Sequence, residues 1–405
     1  MRDRQTDSGE KLGIYIHIPF CRSKCDYCDF YSLAGQEERM DSYQKALLAH
    51  LKESAPMARS CSVDTIYFGG GTPSWYGAKR LGELLKAVKK LFRVEKDAEI
   101  TFEANPDSAD FKTLRALRRA GFNRVSFGFQ SACPGELAAV HRPHTVEQGD
   151  EAVAAARKAK LKNLSLDLIY GLPGQTLALW QRTLNCAAAL EPEHISCYGL
   201  QVEEGTPLWD RRDQLDLPDG DAQADMYLWT VERLAQLGYE QYEISNFARP
   251  GFASRHNLKY WTLGEYAGFG PGAHSHLGDV RYAYVRDLDA YCRGIKSGGS
   301  ILSESERIPP RERDLEYLML GLRTARGIER REFENRFRLS FAPVQETLEK
   351  CAGPGYAVQS GGRWRLTPEG FLVSNQIIGQ VLEALGQEKL RRRQAAANGD
   401  YRIVT

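Results

Sequence analysis

The chain contains no apolar run long enough to cross a bilayer, and its opening, Met1-Arg2-Asp3-Arg4-Gln5-Thr6-Asp7-Ser8-Gly9-Glu10, carries charge where a secretory signal would be apolar. Stable membrane insertion is therefore not expected, only transient membrane contact stays open, and the cytoplasm is the default location. An excess of one charge is missing as well: 54 Lys and Arg stand against 53 Asp and Glu, for a formal net charge of +1. Without a global field to gather polyanions, nucleic acid is not an expected partner. Phosphate-binding loops are absent too, since neither Gly69-Gly70-Gly71-Thr72-Pro73 nor Gly171-Leu172-Pro173-Gly174-Gln175-Thr176 ends in the required Lys-Ser/Thr. Nor do the nine cysteines form a disulfide framework. Their number is odd, and Cys61, Cys133, Cys186, Cys197, Cys292 and Cys351 are scattered singly, as small buried hydrophobes are.

What is present is a dense thiol array. Cys21, Cys25 and Cys28 stand in a C-x3-C-x2-C spacing within Cys21-Arg22-Ser23-Lys24-Cys25-Asp26-Tyr27-Cys28, directly after an apolar, strand-like run. Thiolates at this density select soft centres, either an iron–sulfur cluster or zinc. Structural zinc usually takes four protein ligands from two paired knuckles, and no second pair follows here. His17, Asp26 or Asp29 could still complete a zinc site, and three reduced bystander thiols are the third reading. A four-iron cluster held by three thiolates leaves one iron open to a ligand.

Short β-branched and aromatic runs, each followed by a helix-period segment, recur along the first half. The pattern predicts strands over Gly13 to Ile18, Thr65 to Phe68, Glu99 to Phe102, Arg124 to Phe127, Asn163 to Ile169 and His194 to Gly199. Helices are predicted over Glu37 to Ser54, Ala78 to Phe92, Phe111 to Ala120, Val146 to Lys160 and Leu177 to Leu190, with Gly121 as a stop and Thr145-Val146-Glu147-Gln148 as a capping box. Six βα units fall short of an eightfold barrel but can curl into a partial one, with its site at the carboxyl ends of the strands. The alternation stops near Leu208. A helix over Asp221 to Leu237 then leads into an aromatic, glycine-rich stretch, Gln241 to Leu277, with no clear strand periodicity. Beyond Ser297-Gly298-Gly299-Ser300, helices and a hairpin over Tyr356 to Leu366 predict a winged-helix-like domain. Its few arginines, Arg323, Arg326, Arg330 and Arg331, fit a structural or docking role better than DNA binding. The expected organisation is an α/β fold: tail 1–11, partial (β/α)6 barrel 12–207, accessory region 208–300, winged-helix-like domain 301–385 and tail 386–405.

The segment Tyr15-Ile16-His17-Ile18-Pro19-Phe20-Cys21, the Cys triplet and Gly69-Gly70-Gly71-Thr72-Pro73 together resemble the radical S-adenosylmethionine (SAM) enzymes, in their coproporphyrinogen oxidase-like branch. The resemblance implies a radical-SAM barrel and a [4Fe-4S] cluster on Cys21, Cys25 and Cys28, whose open iron chelates the methionine half of SAM ahead of 5′-deoxyadenosyl radical formation. It further implies a SAM site made by Tyr15, Phe30, Gly70, Gly71, Thr72, Glu103, Gln130, Arg142 and Asp167. Read singly, Glu103 and Gln130 are also ordinary cap or turn residues, and Arg142 an ordinary ion-pair partner. Asp167 differs, because a carboxylate in the apolar run Leu164-Ser165-Leu166-Asp167-Leu168-Ile169 must find a partner or cost several kcal/mol.

Phe30 marks a branch point. The oxidases of this type carry a further Cys two positions after the third cluster ligand and extend well upstream of the triplet, whereas here Phe30 holds that place and twenty residues precede Cys21. In contrast, His256-Asn257-Leu258-Lys259-Tyr260-Trp261 matches the H-N-x-x-Y-W motif of a haem-chaperone group in the same family. That likeness implies haem as cargo, His256 as a candidate axial ligand, and haem-accepting respiratory proteins as partners. Tyr260, Trp261, Tyr266 and Phe269 could supply flat apolar area, with His274 and His276 as spare ligands. The ordinary reading of His256 is a hydrogen-bonded histidine. The competing functions are an oxygen-independent coproporphyrinogen III oxidase and, more weakly, a zinc-stabilised interaction module.

Overall fold

Polar and apolar residues alternate along the strands of the first half, and the polar face is the one that looks inward. In the computed structural model, which describes residues 11–309 and 311–397, these strands are β1 (Lys11–Ile18), β2 (Ser62–Gly70), β3 (Val94–Ala104), β4 (Arg124–Gln130), β5 (Asn163–Tyr170) and β6 (His194–Gly199). They pair in parallel and in chain order. Between them run α1 (Met40–Ser54), α2 (Ala78–Leu91), α3 (Phe111–Ala120), α4 (Val146–Lys158) and α5 (Leu177–Ala189). Ile14, Ile16, Phe68, Phe102, Val125, Leu166 and Ile195 join one buried core with Leu47, Leu84, Val88, Leu114 and Leu184 of the helices. Each such side chain, fully buried, contributes roughly 1.5–3 kcal/mol. The alternate positions, among them Tyr67, Glu103, Arg124, Ser126, Asp167 and Ser196, face a cavity instead.

All six predicted strands and five predicted helices are present, within a few residues of the predicted ends. β6 has the predicted bounds, and the other five strands run longer than predicted because ladder pairing carries them beyond their apolar runs. Thr145 and Gln148 form the capping box in full, and Gly121 closes α3 in the left-handed region at φ 111°. The first turn of the helix expected from Glu37 is a 3-10 turn, Glu37–Arg39.

Beyond β6 the structure departs from the expectation. After α6 (Gly220–Gln236), the stretch read as lacking strands contains β7 (Asn246–Ala248), the short helix α7 (Arg255–Trp261), β8 (Tyr266–Phe269) and β9 (His274–Leu277). β8 lies parallel to β1 and β7 antiparallel to β6, so both borders of the six-stranded sheet are extended. With β10 (Val280–Tyr284), α8 (Leu288–Ser297) and β11 (Leu302–Arg307), these eleven strands of a twelve-stranded sheet follow the order β11-β10-β9-β8-β1-β2-β3-β4-β5-β6-β7. Strands of three to five residues are too short for a period-2 signal, and pairing rather than propensity sets them. Most of 208–300 thus belongs to the same compact unit as the barrel: that unit runs through Glu240 and includes Ser245–Lys259 and Gly264–Arg307.

The second unit comprises Gln241–Ile244, Tyr260–Leu263 and the chain from Ile308. It holds α9 (Arg313–Gly321), β12 (Ile328–Glu329), α10 (Arg330–Phe337), α11 (Ala342–Ala352), the hairpin β13 (Ala357–Ser360) and β14 (Arg363–Leu366), and α12 (Ser374–Ala397). The three strands form a sheet in the order β12-β14-β13. α12 runs well into the residues expected to be tail, and Lys389 on it pairs with the buried Asp314 of α9. Among the described residues, no helix is long and apolar enough to cross a membrane.

Candidate functional site

A cavity of about 530 Å³ opens at the carboxyl ends of the barrel strands. Its wall begins with the thiol loop. Phe20–Cys21 pairs in parallel with Leu33–Ala34, which pinches the segment between them into a closed excursion. Asp26 holds that excursion down: His141 Nδ1 lies 2.6 Å from its carboxylate, Arg211 pairs with the same oxygen, and its backbone bonds to Val140 and Leu208. Cys21, Cys25 and Cys28 are all free and all line the cavity. Burial lifts the Cys21 thiol to about 11 and also raises Cys28, so a metal centre has to displace bound protons there. Donors already point at two sulfurs, Thr72 Oγ1 at Cys21 (3.4 Å) and Arg142 Nη1 at Cys25 (3.2 Å). Such bonds to sulfur are what iron–sulfur sites use to set their potential. Among the described residues, no three His, Cys, Asp or Glu side chains are grouped so as to hold a single metal ion. A cubane asks something else of its ligands, one thiolate per iron, and three soft thiols on one cavity wall fit that demand better than they fit zinc.

The glycine run lies against this loop. Gly71 N–H donates to Ile18 O (2.8 Å) and Thr72 N–H to Phe20 O (2.7 Å). A Cβ on Gly71 would sit 2.7 Å from Phe20 O and 3.0 Å from Cys21 Sγ, so only glycine allows the approach. Gly70 has φ 110° and its N–H donates to Glu103 Oε2 (3.1 Å), while Tyr67 donates to Glu103 Oε1 (2.8 Å). Glu103 is half-buried in the cavity wall, and burial raises its carboxyl to about 7. Asp167 meets the demand its sequence position makes: Ser126, Ser165 and Ser196 all donate to it, yet burial still raises its pKa.

The structure gathers Phe30, Gly70, Gly71, Thr72, Glu103, Gln130, Arg142 and Asp167 with the three cysteines around this one cavity. Phe30, 70% exposed, stands at its rim. Gln130 reaches it from a left-handed backbone at φ 62°, where the ladder register shifts between Gly128 and Gln130. Arg142 is committed on several sides, to Cys25, to Asn105 Oδ1 (2.9 Å) and to Gly128 O (2.7 Å). Tyr15 does not line the cavity. Its hydroxyl meets His17 Nδ1 (3.0 Å) and its ring stacks on Tyr67.

His256 is also set apart. It is 1% exposed, its Nδ1 lies 2.9 Å from Thr65 Oγ1, its ring stacks on Tyr67 at 5.3 Å, and burial lowers its pKa to about 3. Phe269 is buried against His50 and Phe92 and presents no face to a porphyrin, while His274 is exposed and His276 buried in β9. Among the single cysteines, Cys186 is exposed and Cys292 half-buried, in contrast to the buried Cys61, Cys133, Cys197 and Cys351. Sequence reasoning missed Tyr67, Arg124, Ser126, Ser196 and Asn257, which also line the cavity. For the four on strands, a polar residue at every second position was the signal; Asn257, on α7, had no such signal.

A parallel partial barrel with a three-thiol loop after its first strand and a glycine run after its second defines a radical-SAM-type protein. Residues 15–187 match the Radical SAM superfamily family model and residues 308–373 the HemN C-terminal domain model. The heme chaperone HemW of Bacillus subtilis (strain 168) is 34% identical over 375 residues, spanning 92% of this chain and 99% of that one. HemW of Escherichia coli (strain K12) is 35% identical over 372 residues, spanning 91% and 97%. Coproporphyrinogen III oxidase (HemN) from Escherichia coli superposes with a TM-score of 0.81 at 24% identity, covering 94% of this chain and 91% of that one, a likeness of fold. The chain belongs to the HemW family within the radical SAM superfamily.

Proposed function

We propose that this protein is a haem chaperone that binds haem and delivers it to haem-dependent respiratory proteins in the cytoplasm, using a barrel (residues 12–207) that carries a [4Fe-4S] cluster and SAM. The observation that carries the reading is likeness to haem chaperones along nearly the whole chain. In this reading Cys21, Cys25 and Cys28 hold the cluster. When bound, it supplies an electron to the SAM sulfonium. Glu103 and the Gly70-Gly71-Thr72 backbone receive the amino end of SAM, and Gln130, Arg142 and Asp167 its ribose and carboxylate, with Tyr15 acting from behind Tyr67 and Phe30 covering the mouth. The winged-helix-like domain serves for docking.

His256 is the proposed axial ligand to haem. Its imidazole must first leave Thr65 and the Tyr67 stack, so haem capture includes a local rearrangement. Haem titration of the anaerobically reconstituted protein tests this. Wild type is expected to bind haem and His256→Ala to lose at least the axial contact. No binding by wild type defeats the chaperone reading, unchanged binding by His256→Ala removes His256 from the site, and robust protoporphyrinogen formation from coproporphyrinogen with SAM and a reductant establishes the oxidase in its place.

A further inference from the structure

The first half of the H-N-x-x-Y-W helix is built into the underside of the proposed SAM site. Glu99, at the interior of β3, accepts the N–H groups of Arg255 (3.1 Å) and His256 (3.1 Å), where a carboxylate suits a helix start. Lys259, 8% exposed, reaches Asp64 Oδ1 (2.8 Å) and Lys11 O (3.1 Å). Held at its start and at Lys259, the helix packs the His256 ring against the Tyr67 ring, 5.3 Å between centroids at 27°. Tyr67 in turn spends its only hydroxyl hydrogen on Glu103 Oε1 (2.8 Å). The packing there leaves no slack: a Cβ on Gly69 would lie 2.9 Å from the Tyr67 ring and 3.0 Å from Glu103 Oε1. Asn257 lines the cavity itself.

We propose that His256 is a positioning residue for SAM, acting through Tyr67 to fix the Glu103 carboxylate, and that Asn257 beside it contacts the bound ligand from below. The inference rests on Glu103 being a SAM contact. The His256 ring, closer than the Tyr15 ring that also stacks on Tyr67, and the tight approach of Gly69 hold the phenol with its hydroxyl aimed at Glu103. Removing the imidazole frees the phenol to tilt, and the carboxylate loses the donor that orients it. The motif therefore carries information to the SAM site from a helix outside the six βα units.

The experiment is a double-mutant cycle on SAM affinity, measured by calorimetry on anaerobically reconstituted full-length protein with iron and sulfide content matched. His256→Ala and Tyr67→Phe are each expected to weaken SAM about ten-fold, the order expected for loss of a hydrogen bond to a charged group. In the double variant the losses are expected not to multiply, because both interrupt one route. His256→Phe, which keeps a ring on Tyr67, is expected to stay within about three-fold of wild type, and Thr65→Val, which frees the imidazole without deleting it, to fall between them. Losses that multiply in the double variant, or a His256→Phe as weak as His256→Ala, overturn the proposal. Thr65→Val provides the same decision if His256→Ala does not fold, since wild-type affinity in that variant refutes the route. Glu103→Gln separates the two levels: unchanged SAM affinity there sinks the SAM-site reading, whereas a loss there with none in Tyr67→Phe sinks only this inference.

Discussion

Gly70 and Gly77 form a matched pair that isolates how tightly the glycine run is packed. Both have positive φ, 110° and 105°, which L side chains rarely adopt, so alanine is strained at either position. The surroundings differ. A Cβ on Gly70 would lie 2.5 Å from the His17 ring, and that ring cannot yield, because its Nδ1 is bonded to Tyr15 (3.0 Å) and its Nε2 to Tyr31 O (2.8 Å). A Cβ on Gly77 meets only the end of Arg80 at 4.0 Å. Gly70→Ala therefore adds an overpacking cost of about 1–3 kcal/mol that Gly77→Ala avoids. Spread over the unfolding entropy of a roughly 300-residue unit, about 0.6 kcal/mol per degree, the difference is about 2–5 °C in Tm. Differential scanning calorimetry of the two variants reads it directly. Equal midpoints would refute the claim that His17 is an immovable wall behind the glycine run.

Two further outcomes are expected. Burial lowers His50 to about 4, so the folded state keeps it neutral while the unfolded chain protonates it near 6.5. Its contribution is thus fully present above about pH 6.5 and is lost as pH falls towards 4, with a slope of about 1.4 kcal/mol per pH unit. Urea titrations between pH 7 and 4.5 should show His50→Gln shallower by about that slope, and identical slopes would contradict the assignment. Asp26→Asn removes the charge that His141 and Arg211 share, and should hasten iron loss to a chelator on the order of ten-fold, while retention at the wild-type rate would show that the loop needs no clamp.

Much of the site could be read before any coordinates. The Cys21, Cys25, Cys28 spacing needs only local sequence, because a short loop after a strand carries its ligands together wherever the strand goes. Asp167 announced itself as a carboxylate in an apolar run, and three serines answer it from β4, β5 and β6. His256 was legible as a residue of interest but not as a buried one. Its surroundings come from Thr65, Tyr67 and Glu99, which lie between 157 and 191 residues away in sequence. β8 was illegible for the same kind of reason, as four residues next to β1 make a strand only because β1 offers an open edge.

By itself, the sequence determined the six strand–helix units and the thiol loop, since periodicity, caps and ligand spacing act over a turn or a strand. Tertiary structure decided which face of the alternating strands turns inward. With helices covering the outside, the apolar positions go to them and the polar positions are left to line a cavity, so residues such as Tyr67, Arg124 and Asn257 become part of one site through packing that no local pattern encodes.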